Sequence, residues 1–325
     1  MKGDRLIFLT VAALAAGGLA LTFLGPRTAE ADLVPADPGA AAVAAAGDAL
    51  FGSYRRPAVP PGGLPGVTDP DRLRAGRATY ALKCAQCHGP TGAADTGTAR
   101  LLEPPPRSFR HGVIKFTSTA AGRPPLREDL IRVVREGIPT TAMAGFGSLP
   151  PAALEEIADY LTWLLVRGAA ETAAAARLAA EPAADPGRLL AEELDRIVAD
   201  WRQATAAEPP TPEPPRGPGD RRRGAELFVS AGCASCHGED GGGRGPAAFH
   251  DGRWLLRDEW GHEARPRAFA RDGWFGGGRP VDLWRRIAFG VKGTPMPAHA
   301  DKLDPDRIWS LVHYVQYLAG EEELP

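Results

Sequence analysis

All four cysteines of this chain sit in two copies of one pentapeptide, Cys84-Ala85-Gln86-Cys87-His88 and Cys233-Ala234-Ser235-Cys236-His237. Two thiols three positions apart can each form a thioether with one vinyl group of a haem, and a histidine directly after the second cysteine then reaches the iron from the proximal side. The chain must therefore fold around two covalently bound haem c groups, one per motif. Other uses of the cysteines fit less well. A structural zinc site takes four ligands from paired clusters, and these two clusters lie far apart in the sequence. Disulfides would leave unexplained why histidine, used 7 times in 325 residues, follows the second cysteine both times.

The methionines point the same way. Only 3 exist, and one is the initiator. The others, Met143 and Met296, follow their motifs at closely matched distances, in the loops Gly137-Ile138-Pro139-Thr140-Thr141-Ala142-Met143 and Gly290-Val291-Lys292-Gly293-Thr294-Pro295-Met296. A thioether is a soft ligand that suits haem iron in electron transfer and raises its reduction potential. The expected iron ligands are His88 with Met143, and His237 with Met296. Five histidines remain: His111, His250, His262, His299 and His313. They read as ordinary surface or hydrogen-bonded side chains, with His299 the best placed to substitute for Met296.

The surroundings of the motifs repeat. Pro106-Arg107-Ser108-Phe109 recurs as Pro266-Arg267-Ala268-Phe269, and the segment Asp129–Gly137 recurs as Asp282–Gly290. Tyr160, Trp163 and Leu164 match Tyr314, Tyr317 and Leu318, an i, i+3, i+4 stripe on a terminal helix in each copy. A helix is also expected before each motif: Asp69 caps residues 70–82, and Gly219 or Asp220 precedes residues 221–229. These carry Gly76 with Tyr80, and Gly224 with Phe228. Arg107 and Arg267 are candidate partners for haem propionates, because a half-buried carboxylate favours a guanidinium. The Gly241-Gly242-Gly243 run with Gly245 follows a haem motif rather than a strand, so it reads as a plain loop and not as a phosphate cradle.

Both units resemble class I cytochrome c domains, and the whole resembles a tandem dihaem cytochrome c. The resemblance covers about residues 69–166 and 218–319. It implies an all-α fold with few or no strands, in which the first and last helices of each domain cross at a glycine and an aromatic residue. Gly76 and Tyr80 against Tyr160 and Trp163, and Gly224 and Phe228 against Tyr314 and Tyr317, fit those roles. The sequence departs from compact tandem relatives in its long connector.

The expected organisation is a transmembrane anchor or export signal over residues 1–31, a flexible tether over 32–68, a first cytochrome domain over 69–167, a connector over 168–217 and a second domain over 218–325. The uncharged run Leu6–Leu24 behind Lys2 and Arg5 is long enough to span a bilayer, while Ala29-Glu30-Ala31 offers a cleavage pattern for the alternative. Either way the rest of the chain is exported, to the periplasmic side of the inner membrane if the run is an anchor. Residues 32–68 are rich in Ala, Pro and Gly and read as a tether. In the connector, Leu189, Leu190, Leu194, Ile197, Val198 and Trp201 recur at helical intervals, which predicts a helical pair packed on the first domain. The Pro-rich stretch 208–218 reads as an extended spacer between independent units.

Two functions compete. An electron carrier needs both irons six-coordinate, and its partners are redox proteins such as an oxidase, a reductase or a dehydrogenase. A dihaem cytochrome c peroxidase-like enzyme needs one open or displaceable distal position with acid/base groups above it. Both halves repeat the same methionine loop, so a carrier with no catalytic residues is expected. The net charge of -2 gives no pressure toward nucleic acid.

Overall fold

A computed structural model describes residues 38–321, and the expected membrane segment falls outside them. Within the described residues no helix is long and apolar enough to cross a membrane. The fold is helical apart from two minimal hairpins. In chain order the elements are α1 (Pro38–Phe51), the hairpin β1 (Gly52–Ser53) and β2 (Arg56–Pro57), α2 (Pro70–Lys83), α3 (Ala85–His88), α4 (Arg127–Glu136), α5 (Pro151–Ala180) and α6 (Pro186–Arg202). The second half follows with α7 (Pro218–Ser230), α8 (Cys233–His237), the hairpin β3 (Phe249–His250) and β4 (Arg253–Trp254), α9 (Phe269–Asp272), α10 (Pro280–Phe289) and α11 (Pro305–Leu318).

In three of these helices, α2, α6 and α11, the aspartate of an Asp-Pro dipeptide caps the start. Proline fits the first helical position because its missing N–H would be unpaired there anyway, and the aspartate before it caps the free amides. The Asp69 carboxylate accepts from the Asp71 amide, that of Asp185 from Arg188, and that of Asp304 from Arg307, at 2.7–2.9 Å. In each half the first helix crosses the last. A Cβ on Gly76 would stand 1.8 Å from the Glu156 carbonyl oxygen, and one on Gly224 would stand 2.3 Å from that of Ser310. Only glycine allows backbones this close. The neighbouring rings then meet edge to face, Tyr80 with Tyr160 at 5.0 Å and Phe228 with Tyr314 at 5.4 Å.

The expected equivalence of Trp163 and Tyr317 does not hold. Trp163 is fully buried between Phe51, Tyr54 and Tyr160, whereas Tyr317 is 51% exposed and lies under Arg221. The reason is a cover that only the first half possesses. Residues 38–67, expected as part of a flexible tether, instead form α1 and the first hairpin and pack into the core: Val43, Phe51, Leu64 and Val67 are all under 5% exposed. Alanine is a strong helix former, so an Ala-rich stretch that finds an apolar surface folds. The seam is polar as well. Arg167, 1% exposed, binds Asp48, Glu171 and the Gly52 carbonyl, and Glu171 also takes Arg110 and the Tyr54 hydroxyl. Burial and the Glu171 carboxylate push the Tyr54 hydroxyl up to about 12.

The connector is different from the expected spacer in two respects. No break separates it from the first domain, because α5 runs unbroken through residue 167 to Ala180. Helix α6 then folds back, with Leu189, Leu190, Leu194, Ile197 and Val198 buried in the first core, as their spacing predicts. The stretch 206–213 does lack regular structure, yet it is bonded to both halves. Ala206 bridges to Thr119 and the Ala207 amide donates to Ser118 in the first, while the Ala207 carbonyl and Glu208 take Arg285, and Thr211 accepts from Trp309, in the second.

Candidate haem sites

The motif cysteines begin or precede a short helix in each half, α3 and α8, set at the end of the crossing helix. What lies around each motif histidine is the same twice over. The Nδ1 of His88 is 3.0 Å from the Arg107 carbonyl oxygen, and that of His237 is 3.3 Å from the Arg267 carbonyl oxygen. A histidine that donates through Nδ1 is held in the tautomer whose Nε2 is free to bind a metal. Phe109 stacks on His88 at 4.7 Å and Phe269 on His237 at 4.8 Å. Burial pushes both imidazoles below their ordinary pKa, which keeps them neutral. The repeated Pro-Arg-x-Phe thus orients the histidine through the arginine's backbone and the phenylalanine ring. Sequence reading found the repeat and missed this use of it, since a carbonyl leaves no trace in residue identity.

The methionine loops also match bond for bond. The Met143 carbonyl accepts from the Ile138 amide at 2.9 Å, and that of Met296 from Val291 at 3.2 Å. In each loop a threonine ties the turn: Thr141 donates to the Ile138 carbonyl and accepts from the Met143 amide, and Thr294 does the same between Val291 and Met296. Residue identity alone gives these two threonines no role. His299, the considered substitute for Met296, is buried, and its amide is tied to the carbonyls of Ile287 and Ala288 at the end of α10.

The two candidate propionate arginines are half-buried, and each reaches the other half of the molecule. The Arg107 guanidinium lies 3.5 Å from the centroid of Trp260 and 3.7 Å from the Asp258 carboxylate. That of Arg267 lies over Phe275 at 3.6 Å, donates to the Gly273 carbonyl and reaches the Thr140 hydroxyl at 3.2 Å. Burial pushes both guanidinium groups down to about 10. Asp258 receives Lys115 as well as the amides of Trp260 and His262. Burial opposes its charge, but these donors prevail and hold it below the ordinary carboxylate range.

Because Asp258 has a depressed pKa in the folded protein, its contribution is present above about 3.8 and is lost as pH falls through the folded value. Replacing it with asparagine should remove the same contribution at neutral pH. The substitution leaves the half-buried Arg107 and Lys115 without the carboxylate they share, at a cost of about 1–3 kcal/mol. Small-angle scattering of Asp258→Asn at pH 7 should show a larger radius than the parent. An unchanged radius would mean that other contacts alone hold the halves together.

The residues present fit haem. None of the four motif cysteines forms a disulfide, and the Arg267 Nε is buried with no partner among the described residues, as a donor awaiting a carboxylate would be. Comparison with known proteins agrees. Residues 71–161 match the family described as cytochrome c oxidase, cbb3-type, subunit III, and residues 222–319 match cytochrome c. The chain is 30% identical over 137 residues to the cbb3-type cytochrome c oxidase subunit FixP of Azorhizobium caulinodans, which covers 41% of this chain and 38% of that protein. The chain thus spans well under half the length of the curated relative it matches. A chain of the Kuenenia stuttgartiensis reducing HAO-like protein complex Kustc0457/Kustc0458 superposes with a TM-score of 0.59 at 25% identity, covering 78% of this chain and 98% of that one.

Each half is a class I cytochrome c domain. The chain belongs to the tandem dihaem c-type cytochromes and binds two haem c groups, one on each Cys-x-x-Cys-His motif.

Proposed function

We propose that this protein carries single electrons between redox proteins, with His88 and Met143 ligating one iron and His237 and Met296 the other. The observation that carries the reading is the duplicated methionine loop, with the same carbonyl, amide and threonine contacts in both halves. A loop tied at this many points holds a thioether in place and leaves neither iron an open position. Haem supplies the one-electron couple, and thioether ligation raises its potential. The chain's own residues fix the histidine tautomer, exclude water with Phe109 and Phe269, and place Arg107 and Arg267 near the propionate edges.

The likeness to an oxidase subunit and to a chain of a reducing complex supports partners of that general kind, and an exported site of action on the periplasmic side of the inner membrane. Attachment there is through the N-terminal segment, or the protein is released after cleavage near Ala31. Pre-reduced protein should pass electrons rapidly to a small acceptor, and it should turn over hydrogen peroxide no faster than a monohaem His/Met cytochrome. Efficient peroxide turnover with a high-spin ferric haem at rest would replace the carrier by an enzyme.

A further inference from the structure

The two halves meet at Asp258, which takes Arg107 and Lys115, and at Phe116 against Phe275, and each methionine loop also touches the opposite half. From the second half, Arg267, whose carbonyl orients His237, donates to the hydroxyl of Thr140 in the loop that ends at Met143. From the first, Arg107, whose carbonyl orients His88, lies on the Trp260 ring. The six-membered end of that ring closes on Gly293 in the loop that ends at Met296: a Cβ on Gly293 would stand 2.0 Å from it. The Gly293 carbonyl also accepts from the Glu259 amide at 3.1 Å.

The same loop sends one side chain across. The Lys292 ammonium is seated in a turn of the first half, where it donates to the hydroxyls of Thr117 and Thr119, at 2.9 and 3.1 Å, and to the Arg123 carbonyl. Among the described residues no carboxylate touches it, and each acceptor belongs to the other half. A lysine this enclosed serves to hold position, since a surface ion pair would serve charge alone better.

Resting on the His/Met reading above, we infer that each methionine loop is clamped by the opposite domain, so that the lability of one axial methionine is set by residues of the domain that holds the other haem. Lys292, Thr117 and Thr119 are positioning residues for Met296, and Arg267 with Thr140 acts likewise on Met143. The interface is then part of both redox sites, and whatever loosens it changes both irons' ligation.

The test uses the full dihaem protein. A methionine that ligates low-spin ferrous haem lies over the ring, and the ring current moves its methyl proton signal far upfield. Met143→Ala and Met296→Ala assign the two signals. Displacement of each methionine by imidazole is then followed in the ferric protein. Lys292→Met should speed displacement at the second haem about tenfold, roughly one net hydrogen bond, and Lys292→Arg should restore it. The Thr117→Val, Thr119→Val pair, made entirely in the first domain, should reproduce the increase at the second haem. Thr140→Ala should speed displacement at the first haem and not at the second. If the threonine pair leaves the second haem at the parental rate, or if Lys292→Met speeds both haems equally, the clamp is wrong. If Met296→Ala keeps both shifted signals, it is the ligation reading that falls.

Discussion

Replacing Met143 or Met296 with alanine should extinguish the sulfur-to-iron band of one haem in the oxidised spectrum and lower that haem's reduction potential. Axial ligation is the strongest protein lever on a haem couple, spanning about 0.8 V across ligand types, and loss of one thioether should move the affected couple by on the order of a hundred millivolts. Alanine cannot replace the ligand, so the affected haem should become high-spin and bind added imidazole. The fold should survive, because both loops are held by backbone and threonine contacts that the substitution leaves alone. Spectroelectrochemistry of the two single variants checks this. Two unchanged low-spin His/Met signatures in either variant would rule out the assignment of that methionine.

Cutting the chain where the repeat begins should fail, while cutting it where the structure begins should succeed. A fragment of residues 66–207 contains the whole first haem motif, methionine loop and closing helix, and on sequence alone it is a complete cytochrome domain. It lacks α1 and the hairpin, however, and so exposes Trp163 and leaves Arg167, 1% exposed in the full protein, without Asp48 and the Gly52 carbonyl. Loss of Phe51 alone is worth about 3–5 kcal/mol, and Arg167 keeps Glu171 but loses its other two partners. Against a total of about 5–15 kcal/mol for a domain, that removes a large share of the stability. The fragment 38–207 should therefore fold and incorporate haem under conditions where 66–207 does not, as measured by haem yield and urea unfolding. Equal yields would show that the N-terminal cover is dispensable.

The parts legible in the sequence were those that chemistry ties to residue identity and spacing. The two Cys-x-x-Cys-His motifs, the repeat of the loops ending at Met143 and Met296, Gly76 and Gly224 at the crossings and the Asp69 cap all follow from residue identity and spacing. Composition misled where it was asked to stand in for packing. The Ala-rich stretch before residue 68 looks like a tether because alanine contributes little apolar area per residue, and only the surface presented by Trp163 and Tyr160 shows that it has somewhere to go. The Pro-rich stretch likewise lacks any periodicity, yet Trp309 donates to its Thr211 carbonyl and Arg285 to its Glu208 carboxylate. Cross-domain pairs such as Lys292 with Thr117 were invisible because nothing in one sequence links residues that far apart.

The helical hairpin of α5 and α6 has a consequence for how the molecule meets other proteins. Thirty residues of helix extend about 45 Å, and the return helix brings the chain back to within hydrogen-bond distance of Ser118 before the second domain starts. The length between the domains is thus consumed as scaffold, and none of it is left over as slack. A domain on a loose leash explores a volume and samples many orientations toward a docking site; here the second haem inherits the orientation of the first. A partner that captures one domain also fixes the bearing of the other, so donor and acceptor must approach along two directions that the protein itself prescribes.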